Sequence, residues 1–468
     1  MSMKTFFHEQ KENMINDIVA LVNIPSVFNE QDTREKQPFG SDVAKALDWI
    51  LEKAESMGMQ TKNIDGYAGE ITIGTGPLMI GILVHEDVVP AGEGWNSEPF
   101  NAHVEHNRIY GRGTGDDKGP LISSLYAMKY LMDNDRIPHD ACLRMIIGTN
   151  EEETWGGINY YKEKVSRLPD YSIVPDGYFP LVFCEKGLLD LNFKFPINQN
   201  ENGTMMVETI VGGSGRNVVP GKASCTIFCN TDKEKGKVLN LVNGIGLSVE
   251  AEGDLFTVTA EGKSTHAMSP EKGSNAISSL IAALEKLDLD GDIGTFVANY
   301  MKYIGMDYNG GDFGCGFEDE LSGKLTFNIG TINMTAKEIV LEANLRYPAS
   351  MGKEEVMDAL RKTSNLAGFT MEEIDYLPPV YTKPDSDFVN ILMEAYQKNT
   401  GDQVNGAFAI GGATYARAIP NAVAFGPLFP YEEELAHEAN EYLEIDSLEK
   451  MTMIYIDALE GLMQLKGE

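Results

Sequence analysis

Positive charge is scarce in this chain. Against 71 Asp and Glu it carries only 38 Lys and Arg, a net charge of −33. No Lys/Arg cluster interrupts that excess, so phosphate backbones and anionic membrane surfaces are excluded as partners. Cysteine is sparse too. Cys142, Cys184, Cys225, Cys229 and Cys315 are odd in number, and the Cys225/Cys229 spacing matches neither a redox pair nor a zinc knuckle. They read as reduced side chains of a cytoplasmic protein. The first residues turn polar after Phe7, which leaves no apolar core for a secretory signal. No run approaches the roughly 20 apolar residues of a membrane span.

Apolar residues are plentiful, at 43% of 468 positions. That is enough for a sizeable core and for more than one domain. Helical spacing of apolar residues predicts helices from Phe7 to Val22, over Val43–Met57 and from about 119 to 132. Strand-like runs fall at Glu70–Gly74, Leu78–Val84, Cys142–Thr149 and Tyr171–Val174. This alternation predicts an α/β domain with a largely parallel sheet, whose functional groups gather at the carboxyl ends of strands.

Beyond Leu188 the texture changes to alternating strands at Leu189–Phe195, Met206–Ile210, Leu255–Thr259, Leu325–Ile332 and Ile339–Leu345, with a helix over Asn275–Leu287. The expected organisation is an α/β domain of residues 1–188 and 377–468, interrupted by an inserted α+β domain of residues 189–376. The last helix is expected to start at Asp446 as N-cap, with Glu449 three residues on.

Histidines number only seven, and the acids around some of them are placed unusually. An apolar run ends in His85-Glu-Asp87, where period two puts imidazole and carboxylate on one side. Gly111-Arg-Gly-Thr-Gly-Asp116-Asp117-Lys-Gly119 sets two acids in a glycine-rich turn. It is not a phosphate loop, because the G-x-x-x-x-G-K-[ST] pattern is absent and the aspartates would repel phosphate. Asn150-Glu151-Glu152-Glu153 follows another apolar run, and Asp176 follows Tyr171–Pro175. His437 sits in an acidic stretch. Neighbouring carboxylates repel unless a cation or proton relieves them. Each turn alone has an ordinary reading; five acid- or histidine-bearing turns in one domain, four of them after apolar strand-like runs, do not easily share one.

Together these pieces resemble the M20 clan of metallopeptidases, and within it the PepV-like bacterial dipeptidases, related more distantly to carnosinases and aminoacylases. The resemblance rests on His85–Trp95, Gly111–Pro120, Glu151-Glu152, Pro175-Asp176, Gly262–Ala276, Gly411–Tyr415 and His437–Glu441, in that order along the chain. It implies a mixed-sheet α/β catalytic domain with a lid domain inserted. It also implies two divalent ions, zinc or else manganese or cobalt: His85 and Asp176 on one, Glu152 and His437 on the other, Asp116 bridging. A water between the metals would attack a peptide carbonyl, with Glu151 as general base and Asp87 orienting His85. A cis peptide is implied after Asp116.

In the lid, His266 would stabilise the oxyanion and Asn217 and Arg346 would grip substrate, while Gly412 and Thr414 would line the pocket. The family has Asp-Glu-Glu where this chain has Asn150 and three glutamates, which leaves the pair as 151/152 or 152/153; Trp155 favours the former. The implied activity is hydrolysis of dipeptides with a free N-terminus and a free C-terminal carboxylate, by a monomer. The alternative within the clan is an aminoacylase or desuccinylase acting on N-acyl amino acids.

Overall fold

A computed structural model of the chain describes residues 1–198 and 204–465. These fold into two compact units. The first consists of Met1–Phe183, Tyr381–Phe408 and Ala413–Glu468, and the second of Cys184–Val380 and Ala409–Gly412. The short return of Ala409–Gly412 to the second unit has no counterpart in the sequence pattern.

The first unit opens with a helix, Met3–Val22, started by the Ser2 hydroxyl accepting the N–H of Thr5 at 3.1 Å. Its buried Phe7, Met14, Ile18, Leu21 and Val22 form one stripe. A second helix, Ser41–Ser56, buries Leu47, Ile50 and Leu51 in the same way. The sheet runs in the order Gln60–Ile64, Ala68–Gly74, Ala141–Gly148, Leu78–His85, Tyr171–Val174, Ala422–Ala424 and Val182–Glu185. Its middle is parallel, Leu78–His85 pairing that way with both Ala141–Gly148 and Tyr171–Val174. Its first edge is antiparallel, so the sheet is mixed.

Leu78–His85 is buried along almost its whole length, as a strand covered on both faces must be. Helices Lys118–Asp133, Asp387–Thr400 and Ile445–Leu462 also belong to this unit. The last of these corrects the capping expectation. Glu444 is its N-cap, with no side-chain cap bond, and Asp446 lies in the first turn, where its carboxylate accepts the Asn107 amide N–H at 3.0 Å.

The second unit is an eight-stranded antiparallel sheet in the order Leu247–Glu252, Leu255–Glu261, Lys222–Cys229, Met205–Gly212, Thr326–Met334, Glu338–Tyr347, Gly187–Pro196 and Thr370–Leu377. Along Lys222–Cys229 burial alternates, with Ala223, Cys225, Ile227 and Cys229 inward. They pack in one core with Leu280, Ile281 and Leu284 of the helix Ala276–Glu285 and Phe296 of the helix Gly291–Tyr303. All five cysteines are free and buried. Among the described residues no helix is long and apolar enough to cross a membrane.

Candidate metal centre

Four acid-bearing turns of the first unit converge because three parallel neighbours end together. His85 is the last residue of its strand, and Gly148 and Val174 close the flanking strands just before Glu151 and Asp176. A glycine-rich turn brings in Asp116, whose peptide bond to Asp117 is cis. The stretch after Leu428 returns His437.

His85 Nε2 lies 2.9 Å from Asp116 Oδ1 and 3.8 Å from Asp176 Oδ2. His437 Nε2 lies 3.3 Å from Asp116 Oδ2 and 3.1 Å from Glu152 Oε2. Single ligand atoms of His85, Asp116 and Glu152 fall within 4.8 Å of one another, as do those of His85, Glu151 and Asp176. Asp116 thus reaches both histidines. Glu153 is exposed and outside these groups.

The tautomer of His85 follows from its partner. Its Nδ1 is 2.9 Å from the backbone carbonyl of Asp87, which can only accept, so Nδ1 carries the proton and Nε2 presents a lone pair. That differs from the expectation that the Asp87 side chain orients the ring: its Oδ1 is 3.7 Å from Nδ1. The carboxylate is instead taken by two backbone donors, the N–H of Glu151 at 3.0 Å and of Glu152 at 3.1 Å. The backbone of His85 is fixed by Asp117, a buried acid whose carboxylate accepts its N–H at 3.1 Å.

The donor set fits a divalent cation. His85 Nε2 and Asp116 Oδ1 are buried and have no hydrogen-bond partner, yet they face one another as two acceptors. Such a pair needs a proton or a cation between them. Burial and the charge of Asp176 push the Glu151 carboxyl well above the ordinary range. Burial and the charge of Asp116 raise Asp176 to about 7. Burial acts the same way on Asp116, but a hydrogen bond with His437 and the positive charge that either histidine carries when protonated overcome it and hold that carboxyl well down. Hydrogen bonds to Asp116 and Glu152 lift His437 to about 11. Four carboxylates and two imidazoles at these distances suit a borderline metal such as zinc, with its N/O ligands.

Asn150, where the family resemblance implies an acid, is engaged with its own turn. Its Oδ1 accepts the N–H of Thr154 at 3.2 Å and of Gly156 at 3.3 Å, and the Thr154 hydroxyl, which closes the 150–156 turn. Of the other expected site residues, Thr414 belongs to the first unit, while Asn217, His266, Arg346 and Gly412 belong to the second.

There, His266 is exposed and forms an isolated bridge with Val218, and its Nδ1 accepts the N–H of Met268 at 3.2 Å. Asn217 is exposed and accepts the N–H of Ala267 at 2.8 Å through its backbone oxygen. Arg346 is buried, donating Nε–H to Asn344 at 3.0 Å and Nη1–H to the backbone oxygen of Gly411. Residue-by-residue reading missed Asp117, Arg112 and Glu441. All three lie inside motifs that were visible, but nothing local marks them as buried.

A family model for "Peptidase family M20/M25/M40" matches residues 81–461. The chain belongs to this family. It is therefore a hydrolase, with the mixed α/β architecture of M20 peptidases. A Bacillus subtilis (strain 168) protein named "Putative dipeptidase YtjP" is 35% identical over 462 residues, 97% of this chain and 98% of its own. Among solved structures, the Saccharomyces cerevisiae di-peptidase Dug1p gives a TM-score of 0.60 at 14% identity, covering 100% of this chain and 99% of its own. The Sulfolobus solfataricus M20 family metallo-carboxypeptidase Sso-CP2 gives 0.58 at 19%, covering 97% and 99%. At these identities the two structures speak to the fold of this M20 chain alone.

Proposed function

We propose that the chain hydrolyses dipeptides with a free N-terminus and a free C-terminal carboxylate. The observation that carries this reading is the full-length match, at 35% identity, to a relative named as a dipeptidase. His85 and Asp176 would hold one divalent ion, Glu152 and His437 the other, with Asp116 shared and zinc, manganese or cobalt as the metal. When bound, such ions act as Lewis acids toward the scissile carbonyl and lower the pKa of water.

The remaining work falls to the protein's own groups. Glu151 takes a proton from the attacking water and returns it to the leaving amine. Its raised proton affinity suits a group that must be base and then acid. His266 stabilises the oxyanion. Because its Nδ1 accepts from Met268, the neutral ring carries its proton on Nε2, the donor that a developing oxyanion needs. Its tautomer is the opposite of that of His85, and the two proposed roles differ in the same sense.

Asn217 and Arg346 bind the substrate, the arginine fork being suited to a carboxylate. Gly412 and Thr414 line the pocket, with residues 189–376 serving as lid to a catalytic domain of 1–188 and 377–468. The protein acts as a cytoplasmic monomer.

The test is a panel of dipeptides and N-acetyl amino acids assayed side by side with zinc, manganese or cobalt. Dipeptide cleavage that disappears on chelation and returns with metal supports the reading. Cleavage of acyl amino acids alone would replace it with an aminoacylase, and dipeptide cleavage by the chelated chain would remove the metal from the mechanism.

A further inference from the structure

Arg112 and Glu441 form an ion pair at 2.8 Å in which each side chain is only 2% exposed. Neither is among the proposed ligands, yet both carboxylate oxygens of Glu441 and the Nη2 of Arg112 bond to two metal-bearing loops. Glu441 Oε2 accepts the Gly113 N–H at 3.0 Å, and Oε1 accepts those of Gly115 at 2.7 Å and Asp116 at 3.3 Å. The carboxylate therefore sits in a nest of backbone donors that shapes the turn presenting Asp116. On the other side, Arg112 Nη2 donates to the backbone oxygens of His437 at 3.1 Å and Ala91 at 3.3 Å. The Gly111 N–H donates to the Glu441 backbone oxygen at 3.0 Å.

His437 needs such help. Its side chain is 54% exposed and its φ is +67°, a left-handed conformation that a residue with a Cβ disfavours. Packing does little to fix it, and its backbone oxygen is held by Arg112. Asn440 adds a second tie, its Oδ1 accepting the Asn96 N–H at 2.7 Å.

We infer that the Arg112–Glu441 pair is the positioning element that brings His437 into register with Asp116 and so completes one of the two metal positions, the one shared with Glu152. The inference rests on the proposed dinuclear reading. His85 and Asp176 come from strand ends that the pair does not touch, so the other position keeps two of its ligands fixed and depends on the pair only through the shared Asp116.

The experiment uses full-length protein loaded with cobalt(II) and equilibrated against graded chelator, reading cobalt retained per chain and the visible d–d absorption. Wild type, Glu441→Gln and the double variant Arg112→Met/Glu441→Leu are compared, each checked for cooperative melting. Glu441→Gln keeps an acceptor oxygen for the Gly113–Asp116 backbone donors, and the double variant removes both charges so that neither is left buried alone. The comparison is therefore decided by whichever of the two folds. Expected is weakening of the ion at His437 and Glu152 by about 10- to 100-fold, with a changed spectrum for that ion, and a smaller loss for the ion at His85 and Asp176, which the pair reaches only through Asp116. A folded variant that holds both ions as tightly as wild type, with an unchanged spectrum, overturns the inference. So does a wild-type chain that holds fewer than two. The readout is ion retention, so a chain that holds two ions but cleaves no dipeptide fails the proposed activity and is still decided by this comparison.

Discussion

The Asp87 carboxylate accepts the backbone N–H of Glu151 at 3.0 Å, and with its second oxygen it takes the next N–H, that of Glu152, at 3.1 Å. One buried acid thus fixes the path of the chain that delivers both glutamates. In Asp87→Asn an amide NH2 must face one of those N–H groups, donor against donor. The variant is expected to fold and to lose about 10- to 100-fold in activity or zinc affinity, measured by steady-state kinetics at saturating metal and by competition with a chelating dye. Wild-type values for both would show that the two bonds do not set the position of Glu151.

Glu151→Gln preserves shape and removes the proton acceptor. Metal content by elemental analysis should match wild type while kcat falls by about 10²- to 10⁴-fold. Glu151 also lies within the ligand-capable group with His85 and Asp176. Loss of one ion in this variant would therefore reassign it from base to ligand.

Gly148 ends the strand that leads to Glu151, and a Cβ there would fall 2.2 Å from the Tyr415 hydroxyl oxygen and 2.5 Å from its ring. Tyr415 is buried, with His85 and Trp155 against its edges at ring distances of 6.3 and 5.4 Å. Gly148→Ala must displace that ring. A loss of about 1–3 kcal/mol in denaturant unfolding is expected, together with reduced turnover; an unchanged midpoint would mean that Tyr415 is free to shift.

Acid should weaken the second unit through Asp319. Burial raises its carboxyl, but the N–H groups of Ser322 and Ser350, at 2.5 and 3.0 Å, outweigh that and hold it at about 2, below its ordinary value of 3.8. A depressed folded pKa stabilises the fold above the unfolded pKa and is lost as pH falls through the folded one. The Tm deficit of Asp319→Asn relative to wild type should therefore be full at pH 6 and shrink between about pH 4 and 2. A deficit independent of pH would locate the effect elsewhere.

What could be read from the sequence was local. The apolar runs ending at His85, before Glu151 and before Asp176 are strands in the structure, and the turns after them carry the acids, because burial on both faces writes itself as an uninterrupted apolar run. What could not be read depends on partners far away in the chain. Arg112 and Glu441 are 329 positions apart, and each alone looks like a solvated charge. The strand Ala422–Ala424 is only three residues long, too short for any period, yet it lies between Tyr171–Val174 and Val182–Glu185 in the sheet. Period two predicts the Asp87 carboxylate beside the His85 imidazole, but the strand ends at His85, the ring takes the Asp87 backbone oxygen, and the carboxylate is bound by the glutamate turn.

The 329 positions between Arg112 and Glu441 also set a schedule. At about 5–20 residues per second the ribosome takes roughly 20–60 s to cover them. In that interval residues 184–380, most of the second unit, emerge in full, while the first unit waits for the strand Ala422–Ala424 and for His437. The unit that starts first finishes last. By the proposed ligand set His85, Asp116 and Asp176 are all made long before His437, so the ion position shared by Glu152 and His437 is the one that waits for the end of synthesis.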